Sequence, residues 1–244
     1  MTHDGLNALF APTGVLRVAI NNGNAILTRP GDGQDPAGVS VDLARAFAAE
    51  RGLELELLPV TNAAASVALI AEERADIGFF AVDPMRAEVV AFTNPWLLIE
   101  GWYLVRENSP ITALEQVDRP GIRIAVGRGS AYDLYLSRAI TSATLEKVTT
   151  SQEVVDFFMR ENLEVAAGVR QQLEADQRRV PGLRLLPERF MVIKQALGVP
   201  AGRDPCLTGA LNAFLERARS SGLIAKLLES NRTDGAVIAG PEAA

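Results

Sequence analysis

The sequence predicts an α/β protein made of two doubly wound β-α-β-α-β units. Three observations carry that prediction. Short apolar strands alternate with helical periods between Val15 and Val82, the order expected where helices cover a mostly parallel sheet. The same order recurs between Ile122 and Val169. Two stretches without helical period, Leu97 to Val105 and Phe190 to Val199, frame the second repeat as extended connections.

Val15 to Ile20 reads as the first strand and Asn21 to Pro36 as a polar, glycine-rich loop. Ser40 to Arg51 is a helix with Val41, Ala44, Phe47 and Ala48 on one face and Gly52 as its stop. Leu53, Leu55 and Leu57 alternate with Glu54 and Glu56, as in a strand with one wet side. Asn62 caps a helix to Arg74, and Asp76 to Val82 returns as a strand. In the second repeat, Thr112-Ala-Leu-Glu115 has the spacing of a capping box for a short helix. Ile122 to Val126 is a strand, Ser130 to Ile140 a helix and Leu145 to Val148 a strand. The box Thr150-x-x-Glu153 opens a helix over 151–162, and Glu164 to Val169 is a strand. Gln171 to Arg178 continues as helix and Leu183 to Leu186 is extended. Asp204-Pro205 caps and opens a helix to about Ser220. Gly222 ends it, and Leu223 to Ser230 forms the last helix. Residues 1–13 and 233–244 are expected to be flexible ends.

Composition narrows the function classes. The net charge is −6 with both signs scattered, whereas a nucleic-acid surface needs a clustered basic face. No segment reaches the ~18 uninterrupted apolar residues of a membrane span. Cys206 is the single cysteine, so no intrachain disulfide is expected, and His3 is the single histidine. Together they argue against a zinc site or a His-based triad, and no cofactor is expected. Met-Thr-His-Asp-Gly-Leu-Asn has no basic segment leading into an apolar core. The chain as given is therefore expected to carry no signal peptide: either an export signal was removed, or the protein is cytoplasmic.

The most informative stretch runs from Ala75 to Trp96. The run Ile77 to Val82 suits a buried parallel strand, and Asp83-Pro84 is a turn signal. Arg86 then falls close to the strand's carboxyl end, where ligands sit in open α/β sheets. Taken alone, Arg86 suits an anion partner and a surface arginine equally. Together, Asp83-Pro84-Met85-Arg86 and Phe92-Thr93-Asn94-Pro95-Trp96 resemble the signature of the type II extracytoplasmic solute-binding proteins, the amino-acid-binding branch (family 3) that serves ABC importers. Residues 14–18, 38–44, 74–77, 127–130 and 211–215 resemble further family segments in the same order. The resemblance covers nearly the whole chain. It implies a two-lobed, periplasmic-binding-protein-like fold with two crossings, lobe one being residues 14–98 and 197–232 and lobe two 99–196. It also implies a monomeric, cleft-closing binder, an ABC transporter permease as partner, and a periplasmic location if an export signal was removed.

Gly127-Arg128-Gly129-Ser130-Ala131-Tyr132-Asp133 follows a strand and opens a helix, and unpaired helix N–H groups attract negative charge. Ser130 can cap the helix and contact a ligand at once. The segment resembles the family's second-lobe Gly-Ser-Thr carboxylate contact, with Ala131 in the Thr place offering only its backbone N–H. A small anionic metabolite held by Arg86 and by Gly129, Ser130 and Ala131 is the expected ligand. Ala81 and Asp83 stand where the family has hydroxyls, and Asp83 either receives an ammonium or caps the turn at Pro84. Asn24 and Ala63 replace ligand-clasping aromatics. Ala167-Gly168-Val169-Arg170 lacks the acid with which family members receive an α-ammonium. Arg170 is either a second anion partner or a solvated helix residue. Glu100 either binds a cation or anchors the hinge by hydrogen bonds. Phe79, Phe80, Trp102 and Tyr132 are core or cleft wall, and Trp96 is expected to pack near the hinge. A non-catalytic role is expected. The alternatives are a cyclohexadienyl-dehydratase-like enzyme, with Glu100 or Asp83 as general acid, and a cytoplasmic sensor.

Overall fold

The computed structural model of the chain describes residues 2–31 and 35–240. Unit 1 comprises Met1–Leu98 and Lys194–Ala244, and unit 2 comprises Ile99–Ile193. Unit 1 opens with α1 (His3–Phe10), β1 (Val15–Asn21), the short hairpin β2 (Arg29–Pro30) and β3 (Pro36–Ala37), and α2 (Val39–Arg51). There follow β4 (Glu54–Val60), α3 (Ala63–Ala71), β5 (Ile77–Ala81), a 3-10 turn at Arg86–Glu88, and β6 (Val90–Phe92). The long strand β7 (Leu97–Arg106) passes into unit 2, which holds β8 (Arg123–Gly127), α4 (Ala131–Ala139), β9 (Thr144–Val148) and α5 (Val154–Arg160). It continues with β10 (Val165–Val169), α6 (Arg170–Arg179) and β11 (Leu183–Leu185). β12 (Met191–Pro200) returns to unit 1, which closes with α7 (Cys206–Ser220), α8 (Leu223–Ser230) and β13 (Val237–Ile238).

Each unit has the same strand plan. In unit 1, β1 lies parallel between β4 and β5, and β12 runs antiparallel to β5 and β6. In unit 2, β8 lies parallel between β9 and β10, and β7 runs antiparallel to β10 and β11. The register matches as well: Val18 faces Ile77 in one unit and Ile124 faces Val165 in the other. Strand alternation explains why β10 is apolar throughout. Val165 and Ala167 pack with Tyr103, Val126 and Leu136 on one side, and Ala166 packs with Val154, Phe158 and Leu163 on the other.

An arginine–carboxylate clasp recurs at the start of each parallel pair. Arg17 donates from its amide and Nε to Asp76 Oδ2 (2.9 Å each) and from Nη2 to Asp76 Oδ1 (2.8 Å). Arg123 does the same to Glu164, with its amide and Nε on Oε2 (2.9 and 3.0 Å) and Nη2 on Oε1 (2.8 Å). Bidentate pairing of this kind fixes geometry as well as charge. Unit 1 adds Arg203, whose Nη1 reaches Asp76 Oδ1 at 3.0 Å.

Four local readings need correction. Residues 3–10 are not a loose end but helix α1, capped by Thr2 Oγ1 on the Gly5 amide (3.2 Å). Phe10 is fully buried against Phe47, which in turn meets Phe214, both edge-on with centroids 5.0 and 5.1 Å apart. In the C-terminal segment, β13 pairs with Leu97 and Leu98, and the Ala239 amide bonds to the Trp96 carbonyl (3.1 Å); the rest of the expected tail, 241–244, lies outside the described residues. The loop after β1 contains the β2–β3 hairpin, with 32–34 outside the described residues. The box expected to close on Glu115 closes on Gln116, whose Oε1 accepts from the amides of Thr112 (2.6 Å) and Ala113 (3.1 Å).

A pH-sensitive clasp follows in unit 2. Asp118 accepts bonds from the amides of Ala143, Thr141 and Ser142 and from the Thr141 hydroxyl, which pull its pKa down to about 2. A depressed carboxylate pKa stabilises the fold above the unfolded value and loses that effect as pH falls through the folded value. The thermal-stability advantage of wild type over Asp118→Ala is therefore expected to be full above about pH 4 and to shrink towards pH 2. A difference independent of pH in parallel melts would contradict it.

Candidate functional site

The candidate residues fall into two groups, one in each unit. In unit 1, β5 ends at Ala81 and the chain turns through Asp83-Pro84. The turn is held by Asp83 itself: its Oδ1 accepts from the Met85 amide (2.9 Å) and its carbonyl from the Ala87 amide (3.0 Å). That is a cap of the kind expected before proline. Arg86 folds back, so that Nη1 donates to the Ala81 carbonyl at 2.9 Å. The residue is only 5% exposed. Burial pulls its pKa down to about 10, and the neighbouring Asp83 charge offsets only part of that shift. Arg86 is thus a buried cation held at a costly place, beside the carboxyl end of a parallel strand.

The segments around it are packed rather than open. Trp96 is fully buried and meets Phe79 edge-on, centroids 6.2 Å apart, and its amide bonds to the Gln195 carbonyl (2.9 Å). The Thr93 hydroxyl accepts the Leu197 amide (3.0 Å) and donates to the Asn94 carbonyl (2.9 Å). Phe79 and Phe80 are both core residues. β12 passes close by because it carries Gly198: a Cβ there would lie 2.3 Å from Val90 Cγ1. Asn24 organises its own loop, its Oδ1 accepting from the Ile26 amide (3.3 Å) and its carbonyl from the Thr28 amide (2.9 Å).

In unit 2, Gly129 takes φ +68°, the left-handed turn that glycine permits. Ser130 caps α4, its Oγ accepting from the Asp133 amide at 3.0 Å. The Gly129 amide, however, is given to Asp133 Oδ2 (2.7 Å). Asp133 is itself buried and meets Lys147 Nζ at 2.8 Å and Ser137 Oγ at 3.1 Å through Oδ1. The helix thus supplies its own anion to the turn. What remains are the first-turn amides of Ala131 and Tyr132, which the helix itself does not use. The buried Tyr132 hydroxyl lies towards Ser151, Ser130 and the Gly127 amide, none of them at hydrogen-bond geometry.

Glu100 and Arg170 meet in the same unit. Glu100 Oε1 accepts from Arg189 Nη1 (2.6 Å) and Oε2 from Trp102 Nε1 (2.9 Å), with Arg170 Nη1 at 3.6 Å. Desolvation pushes its pKa up, but the bonds from Arg189 and Trp102 and the two arginine charges outweigh this and hold it below the usual range. Arg170 bonds to Glu174 (2.7 Å) and lies 4.8 Å from the centroid of the Trp102 ring. Among the described residues no cluster of metal-ligating side chains occurs, and no helix is long and apolar enough to cross a membrane.

Three participants escape a reading of the sequence: Lys147, Arg189 and the ligand-like use of Asp133. Only the last left a local signal, because Ser130-x-x-Asp133 has capping-box spacing.

Solved structures share the fold. The cysteine-binding protein from Campylobacter jejuni shares 20% identity over 97% of this chain and 99% of its own, with a TM-score of 0.80. The solute receptor for L-cysteine of Neisseria gonorrhoeae shares 20% over 97% of both chains, with a TM-score of 0.80. An ancestral amino acid-binding protein described as a precursor of cyclohexadienyl dehydratase shares 19% over 93% of this chain and 98% of its own, with a TM-score of 0.78. The fold is the type II periplasmic-binding-protein fold expected from the sequence. No match was found among curated proteins. The chain belongs to the bacterial extracellular solute-binding proteins, family 3, whose family model matches residues 16–231.

Proposed function

We propose that this solute-binding protein takes a small carboxylate, with Arg86 of unit 1 and, separately, the first-turn amides of α4 in unit 2 as the candidate donors, and that it serves an ABC import system outside the cytoplasm. The observation that carries the reading is Arg86. A guanidinium brought to 5% exposure at the end of a parallel strand, with its pKa pulled down by burial, is stabilised most by an arriving anion. Family membership supports the solute-binding role, and the family's extracellular character supports the location. The test is a thermal-shift screen of organic acids on ligand-stripped protein. A binder at 100 times its Kd adds roughly 2.7 kcal/mol, which raises Tm by about 2–4 °C per kcal/mol for a chain of this size. A screen in which neutral analogues shift Tm and carboxylates do not would remove the anion from the reading.

The similarity to a dehydratase precursor favours a second reading, an enzyme on the same scaffold. A general acid must carry a proton when it acts. Glu100 is held ionised by Arg189, Trp102 and Arg170, which is the opposite tuning. Incubation with prephenate or arogenate is therefore expected to yield no aromatic product above background; turnover would establish the second reading.

A further inference from the structure

Beyond the carboxylate itself, unit 2 carries features that describe the rest of the ligand. Three aromatic rings form a ladder there. Tyr103 stacks on Phe190 (4.3 Å between centroids, 25° between planes), and Tyr135 lies against Phe190 in turn (6.0 Å, 30°). Tyr103 is buried and Phe190 half-buried, while Tyr135 is among the exposed large apolar residues. Tyr135 sits four residues after Ala131, so the two share one face of α4. Side chains on a helix lean towards its N-terminus, which inclines the Tyr135 ring towards the first-turn amides of Ala131 and Tyr132. The buried Tyr132 hydroxyl, without a partner at hydrogen-bond geometry, points to the same end of the helix.

Two acids of unit 2 add a negative criterion. Both oxygens of Asp133 are engaged, Oδ2 by Gly129 and Oδ1 by Lys147 and Ser137. Both oxygens of Glu100 are engaged, Oε1 by Arg189 and Oε2 by Trp102 and Arg170. An ammonium seeking either carboxylate would have to break one of these pairs, and a buried cation without a partner is strongly disfavoured.

We infer that the ligand is a carboxylate whose remainder is an apolar, planar group lying on the exposed face of Tyr135, with no ammonium next to the carboxylate. This rests on the carboxylate reading above and narrows it. A planar ring on the open end of an aromatic ladder gains both buried apolar area and the offset-stacked geometry that rings prefer. The ladder holds Tyr135 in place, so little side-chain freedom is lost on binding.

The experiment compares four probes on ligand-stripped protein by calorimetry: 3-phenylpropionate, propionate, phenylalanine and 3-phenylpropanol. The expected result is 3-phenylpropionate binding at least tenfold more tightly than each of the other three. Tyr135→Ala is expected to remove that advantage and leave propionate unchanged, while Tyr135→Phe keeps it. Phenylalanine or propionate binding as tightly as 3-phenylpropionate overturns the inference and leaves the carboxylate reading standing. So does a folded Tyr135→Ala variant with undiminished preference. Binding of 3-phenylpropanol without any of the three acids overturns the carboxylate reading and the inference with it, as does the absence of binding by all four.

Discussion

Replacing Arg86 with alanine is expected to weaken carboxylate binding at least tenfold. Truncating one member of a buried charged pair costs about 2–5 kcal/mol, and tenfold needs only about 1.4 kcal/mol. Arg86 is buried and bonded through Nη1 to the Ala81 carbonyl, so its position is set before a ligand arrives. Titration calorimetry of the variant decides the matter: an unchanged Kd removes Arg86 from the site. The same residue predicts a pH profile. With its folded-state pKa lowered to about 10, Arg86 keeps its charge through neutral pH and loses it as pH rises through that value. Affinity is expected to stay level between about pH 6 and 9 and to fall above about 10. The sign for stability is opposite. The unfolded chain holds this proton more tightly than the ligand-free fold does, so the group opposes folding below about pH 10 and that opposition fades as pH rises further.

The second large effect is expected far from the ligand. Asp76→Ala should destabilise the protein by about 3–5 kcal/mol, the cost of breaking a buried pair from one side, which is roughly 6–20 °C in Tm at about 2–4 °C per kcal/mol. Asp76 has no exposed side-chain surface and holds both Arg17 and Arg203. Its loss takes the buried carboxylate from two guanidinium groups at the base of the β1–β5 pair. Glu164→Ala supplies the internal control. It makes the same three bonds to Arg123, but the side chains are 40% and 31% exposed. Water replaces such a partner readily, so a clearly smaller Tm loss is expected there. Equal losses in the two variants would mean that burial is not what separates the clasps.

Much of the fold was legible because the signals are local. The alternation of Leu53, Leu55 and Leu57, the Asn62 cap and the Gly52 stop each act within a few residues. The position of Arg86 was legible for the same reason, since a strand, a proline turn and an arginine in sequence place it near the strand's end; its burial was not, because local signals suit a surface arginine equally. Helix α1 was not, because its stability comes from Phe10 meeting Phe47 and, through it, Phe214. No pattern within eight residues announces contacts that distant.

The candidate site divides along the same line. Sequence determined which backbone turns occur and which residue types stand at them: Asp83 before Pro84, Gly129 where φ is positive, Ser130 at the cap. Tertiary structure decided which charges are spent. Glu100 is held by Arg189, 89 positions away, Asp76 by Arg17 and Arg203, and Asp133 by Lys147. A hydrogen bond across one turn of helix is written into neighbouring residues. Which of 24 lysines and arginines reaches a given carboxylate depends on the packing of whole strands and helices.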